Sequence, residues 1–170
     1  MTKRPCIDRR TVLTTLCAAG ALPHDALAEA GETITWDDLI PPGLPYGEII
    51  GPGIIDEAAD FWRPEYDANS FKMNEALNGK IIRMPGYIIP LEQTNAGVPS
   101  FLLVPYVGAC IHTPPPPPNQ LVLVDANPPW PNDNLWDPVW VTGLLKTQLQ
   151  STELAEIGYH LTAQHIEIYS

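Results

Sequence analysis

Cys110 and His112 stand two residues apart in Gly108-Ala109-Cys110-Ile111-His112-Thr113. Five consecutive prolines follow, Pro114, Pro115, Pro116, Pro117 and Pro118, and then Asn119-Gln120. In an extended backbone side chains alternate with period two, so the thiol and the imidazole share one face. Thiolate plus imidazole is a donor set suited to zinc or monovalent copper. A proline run holds its backbone in polyproline II, rising ~3.1 Å per residue, and such a stiff stretch would keep the pair in place at a domain rim. The plain alternative is packing. Free cysteine is among the most buried residue types, and a neighbouring histidine can simply hydrogen-bond a loop.

Two ligands are too few for a closed site, so a third was sought among the other histidines. His160 and His165 lie five residues apart in a strand-like segment. An odd separation sends them to opposite faces. His160, near the start of that segment, is the candidate third ligand; His165, beside Ile166, reads as a surface or satisfied core residue. A catalytic reading would have His112 raise the thiolate fraction of Cys110, as in a cysteine-dependent hydrolase. No Asn or Asp can be assigned to orient His112 and no oxyanion hole is identifiable, so the residues argue against an enzyme more than for one. Trp130 and Trp136, in Pro128-Pro129-Trp130-Pro131 and Leu135-Trp136-Asp137, join the prolines, Asn119 and Gln120 as candidate contacts for a protein partner. Trp140, at strand spacing, is expected in the core, whereas Tyr106 and Tyr159 could line a groove.

The elements that must carry these residues are mainly strands. Five strand-like stretches run from Lys80 to Leu91, Ser100 to Val107, Gln120 to Val124, Pro138 to Lys146 and Tyr159 to Ile168. The first is long and holds Pro85-Gly86, a signature of a kink or bulge. Together they predict a small OB-like, five-stranded antiparallel barrel over residues 79–170, with a β-sandwich as the competitor. Residues 29–78 read as an extended lead-in pinned by Trp36, Leu39 and Ile40, then short helices over 55–62 and 69–78. Asn78-Gly79 stops the second helix, and a single helical turn is expected at 152–156.

Residues 1–28 read as an address. Lys3, Arg4, Arg9 and Arg10 precede a short apolar stretch from Val12 to Leu22, and Ala26-Leu27-Ala28 fits a signal-peptidase site. Arg9-Arg10-Thr11-Val12-Leu13 resembles a twin-arginine signal. The expected product is periplasmic, begins at Glu29 and keeps only Cys110 of the three cysteines, so no intramolecular disulfide can form. The full chain carries 9 bases against 20 acids, a net charge of −11. That sign repels polyanions and excludes nucleic acid as a partner. No apolar run reaches the 18 or so residues of a membrane span.

The strings GYIIPLE, FLLVPYVGACIHTPPPPPNQ and DPVWVTGLLK resemble the bacterial domain of unknown function 3299 family, from Trp36 in ITWDDLIPPG to the C-terminus. The resemblance maps the family's cysteine and histidine onto Cys110 and His112, and its polyproline-Asn-Gln onto Pro114 through Gln120. It implies an exported protein, periplasmic or lipid-anchored, with some members associated with metal-responsive ABC-transporter gene sets. Cys17 follows Thr14-Thr15-Leu16 rather than a lipobox, so the lipid anchor is not carried over. The expected function is that of a metal-binding accessory to an envelope transporter component. The alternative is an interaction module that grips a protein partner without metal.

Overall fold

The computed structural model describes residues 31–56, 61–107, 115–131, 138–152 and 155–169. Eight strands are built from them: β1 (Glu32–Thr33), β2 (Ile49–Asp56), β3 (Phe61–Tyr66), β4 (Ile81–Thr94), β5 (Gly97–Val104), β6 (Val122–Trp130), β7 (Pro138–Ser151) and β8 (Glu156–Ile168). The last five close a barrel in the order β4-β5-β6-β8-β7, with β7 returning to pair β4. All five strands expected from the sequence are present.

The barrel is mixed rather than wholly antiparallel. β6 and β8 run parallel, with Val122 opposite Tyr159 and Ala126 opposite Ala163. The reason is topological: β7 lies between them in sequence but outside them in the sheet, antiparallel to both β8 and β4. β4 closes the structure by serving two neighbours in turn. Its first half, Ile81 to Tyr87, pairs with β7, and its second half, from Tyr87, pairs with β5. Pro85-Gly86 sits just before that handover. A Cβ on Gly86 would lie 2.6 Å from Leu103 Cγ and 3.0 Å from Trp36 Cζ2, so the glycine admits both side chains at close range.

Period-two alternation sorts the side chains. Ile82, Met84 and Ile88 of β4, Phe101 and Leu103 of β5, Val122 and Val124 of β6, Val139 and Val141 of β7, and Tyr159 and Leu161 of β8 form the interior. A second, smaller core lies under Leu121 and Ala155, with Leu102, Val104 and Ile157 fully or almost fully buried.

The lead-in is pinned as expected. Leu39 is buried, and Trp36 packs on the barrel core. Two helix expectations are corrected. Residues 55, 56, 61 and 62 of the first are strand, not helix, and 57–60 lie outside the described residues: Ile54, Ile55 and Asp56 pair with Arg63, Trp62 and Phe61 in a β2–β3 hairpin that forms its own two-stranded sheet. The β-branched Ile49-Ile50 and Ile54-Ile55 pairs favour strand, and Gly53, at φ 63°, supplies the bulge between them. Residues 69–78 form two 3-10 turns, Ala68–Phe71 and Glu75–Leu77, instead of one α-helix. Asp67 and Asn74 each cap a turn through a backbone N–H, of Ser70 and Ala76, and Gly79 ends the segment at φ 78°.

Candidate functional site

Between β5 and β6 the chain makes one long connection, residues 105–121. Cys110, His112 and Pro114 lie outside the described residues, as does Trp136. The two ends of the connection are described, and the second is held by hydrogen bonds to its neighbours. At the first end, Tyr106 and Val107 are exposed, and Tyr46 lies near Tyr106. Partial desolvation, with Tyr106 beside it, pushes the phenol of the half-exposed Tyr46 up to about 12. At the second end, the Tyr66 hydroxyl donates to the Pro115 carbonyl, tying the connection to the base of the hairpin.

Beyond Pro115 the connection turns inward. Pro116, Pro117 and Pro118 are buried, Asn119 is fully buried and Gln120 is 2% exposed. Asn119 Nδ2 donates to the carbonyls of Asn69 (3.1 Å) and Lys72 (3.2 Å), while Gln120 Nε2 donates to Trp36 O at 3.0 Å. The Asn-Gln pair thus latches the lead-in to the barrel. Asn119 Oδ1 is buried with no hydrogen-bond partner among the described residues.

Tyr159 is a second latch. It does not line a groove: it is fully buried, donating to Leu39 O at 2.5 Å and accepting from Asn74 N at 2.6 Å. Burial drives its phenol pKa far above the ordinary value.

His160 follows on the opposite, outer face of β8, across from Leu123 of β6 and Lys146 of β7. Gly158 shares that face, and a Cβ there would lie 2.8 Å from Pro118 O. The proline-Asn-Gln segment therefore lies against β8 two residues before His160. His160 Nε2 is 2.8 Å from Asp125 Oδ2. A carboxylate accepts, so Nε2 carries the hydrogen, and in the neutral ring Nδ1 keeps its lone pair. Asp125 was missed by the sequence reading, although alternation with buried Val124 and Ala126 places it on the outer face. His165 is an exposed surface residue 3.8 Å from Glu167 Oε2, and it is on the outer face with His160 rather than opposite it, because the β7–β8 register shift at Gln164 resets the alternation. No cluster of three or more His, Cys, Asp or Glu side chains suited to a metal ion occurs among the described residues.

The tryptophans divide. Trp130 packs part-buried on the core and lines a cleft of about 240 Å³ with Pro128, Pro129, Pro131, Gln164 and His165. Trp140 is on the barrel exterior rather than in the core, because Val139 and Val141 on either side take the interior positions. Its ring stacks on Tyr169 at 5.1 Å and carries the Arg83 guanidinium 3.8 Å from its centroid. Arg83 also reaches Glu167 at 2.8 Å and holds that carboxyl below its usual range.

Residues 36–168 match DUF3299, described as a protein of unknown function. The chain belongs to this family. The crystal structure of a DUF3299 family protein from Pseudomonas aeruginosa PAO1 is similar, with 40% sequence identity and a TM-score of 0.67 over 83% of this chain and 97% of that one. No curated protein matches the chain. In this member the family fold is a small β-barrel, and no helix among the described residues is long and apolar enough to cross a membrane.

Proposed function

We propose that this DUF3299 protein is an exported, periplasmic accessory that binds zinc or copper(I) through Cys110, His112 and His160 and serves an ABC-type transport system of the envelope. The observation that carries the reading is His160. It is bonded to Asp125, keeps Nδ1 available, and stands two residues beyond Gly158, where Pro118 of the Cys-His connection touches β8. A histidine whose other ring nitrogen donates to a carboxylate is the usual state of a metal-ligating histidine, because the carboxylate fixes the tautomer and strengthens the donor. Three protein ligands leave one position of a tetrahedral zinc open, to a water or to a ligand from a partner. An open position suits a protein that passes metal on.

The test is a competitive zinc and copper(I) titration at pH 7 of the full chain and of Cys110→Ser, His112→Ala, His160→Ala and Asp125→Asn. Each ligand variant should lose affinity at least about tenfold, and Asp125→Asn about as much through the imidazole. Affinity should also fall with pH, since the ligands must shed protons to bind. Equal affinity in all five proteins, or no binding in any, defeats the proposal. Export is tested separately: Arg9→Lys with Arg10→Lys should block it, and the envelope form should begin at Glu29.

One observation favours a second reading, a metal-independent interaction module. The Trp130 cleft, walled by Pro128, Pro129 and Pro131, offers an apolar floor with Gln164 and His165 at its side. With Pro116 to Gln120 turned inward, this cleft rather than the proline run is the surface such a module would use.

A further inference from the structure

The β2–β3 hairpin is a two-stranded sheet apart from the barrel, and its apolar residues face solvent. Ile50, Ile54 and Ile55 are 61%, 62% and 61% exposed, and Ile49, Trp62 and Tyr46 are exposed too. Neighbours along a strand point to opposite faces, so Ile54 and Ile55 make both faces of the ribbon apolar. Scattered apolar residues on a surface are ordinary; a contiguous set on one projecting element marks an interaction site.

Strand addition does not fit this element. Pro52 and Pro64 lack an N–H, and bulges interrupt the register between Ile49 and Gly51 and between Gly51 and Ile54. Recognition must run through the side chains. The charge of the segment is acidic: from Glu48 to Glu65 the sequence holds five acids against Arg63 alone, and among the described side chains Glu48 and Glu65 are exposed beside the isoleucines' strands. Arg63 is engaged with Thr152 O at 3.1 Å. Apposing two such ribbons would set acid against acid, on chains that each carry a net charge of −11. An anionic lipid surface is repelled for the same reason.

We propose that this hairpin is a docking arm for a different protein, one that encloses the isoleucines in an apolar cleft rimmed by Lys and Arg. The reading is independent of metal binding. It is tested in the source cells by replacing Ile54 of the full chain with the photo-crosslinker p-benzoyl-phenylalanine. Irradiation should give an adduct with another protein, and the cross-linked peptide should map to an apolar cleft bordered by basic residues. Glu48→Lys with Glu65→Lys, which reverses two exposed charges outside the barrel strands, should cut adduct yield about tenfold or more; Ile50→Asp should do the same. An adduct with a second copy of the chain or with lipid, a cross-linked cleft without basic residues, a yield indifferent to the charge reversal, or no adduct at all would each overturn the proposal.

Discussion

Replacing Tyr159 with Phe removes one oxygen from the barrel interior and with it one of the latches between lead-in and barrel. The lost oxygen donates to Leu39 O at 2.5 Å and accepts from Asn74 N at 2.6 Å. Asn74 N retains a longer bond to Leu39 O at 3.3 Å, so neither backbone group is left wholly alone. A buried group deprived of its partner costs about 1–3 kcal/mol, and the surviving bond places this case near 2 kcal/mol. That corresponds to a fall in Tm of about 4–8 °C for a domain of this size. Urea unfolding should show a lower midpoint with an unchanged slope, since the surface exposed is the same. A second signature comes at high pH. Because burial raises the folded pKa of Tyr159 above its ordinary value of 10.0, its protonated form stabilises the fold fully below pH 10. That contribution is lost as pH rises above 10, at up to about 1.4 kcal/mol per pH unit. Tyr159→Phe lacks this loss, so its stability should decline less steeply than that of the wild type; Tyr46, also raised, keeps its own share in both proteins. A change below about 0.5 kcal/mol at pH 7, the level of an ordinary surface substitution, with equal slopes above pH 10, would refute the latch.

Three further outcomes are expected. Gly143→Ala would put a Cβ 2.2 Å from Thr162 O and 2.9 Å from Ala163 Cα, both backbone, at the bulge of the β7–β8 ladder; it should cost about 3 kcal/mol in urea unfolding, and a neutral result would refute that register. Asn119→Ala deprives the Lys72 carbonyl of its donor and should cost about 2 kcal/mol, with hydrogen-exchange protection falling in the lead-in rather than in β7 and β8. Arg83→Gln should raise the Glu167 pKa toward its ordinary 4.5 in an NMR titration; in the wild type the stabilisation from that carboxylate is present above its unfolded pKa and lost as pH falls through the depressed folded value.

Legibility in the sequence followed periodicity. The barrel strands alternate cleanly, and Pro85-Gly86 marks where β4 passes from one neighbour to the other, so these elements could be read residue by residue. The hairpin could not. Glu57-Ala58-Ala59-Asp60 has helical composition and lies outside the described residues; on either side of it Ile54 and Ile55 pair with Arg63 and Trp62, a contact that local propensity does not contain. The parallel β6–β8 pair was hidden for a related reason, since strand direction follows from which neighbour closes the barrel. At the candidate site, alternation sends Asp125 outward beside His160, but it misplaces His165: the extra residue Gln164 in the β7–β8 ladder brings His165 back to the same outer face as His160. The roles of Asn119 and Gln120 were illegible, because their partners are backbone carbonyls 47 to 84 residues earlier.

Those contacts bear on how the Cys-His connection can work. Its first end leaves β5 at Val104, and its second end is fixed three times over, by Tyr66 at Pro115, by Gly158 beneath Pro118, and by the lead-in at Asn119 and Gln120. Restraining both ends of a segment removes conformational freedom before any ligand arrives, so less remains to be lost on binding. One restraint comes from Tyr66, at the base of the hairpin whose isoleucines are exposed. A change in the position of the hairpin therefore acts on Pro115 through that hydrogen bond. The consequence is directional: drawing Tyr66 away breaks its bond to the Pro115 carbonyl and returns conformational freedom to that end of the connection.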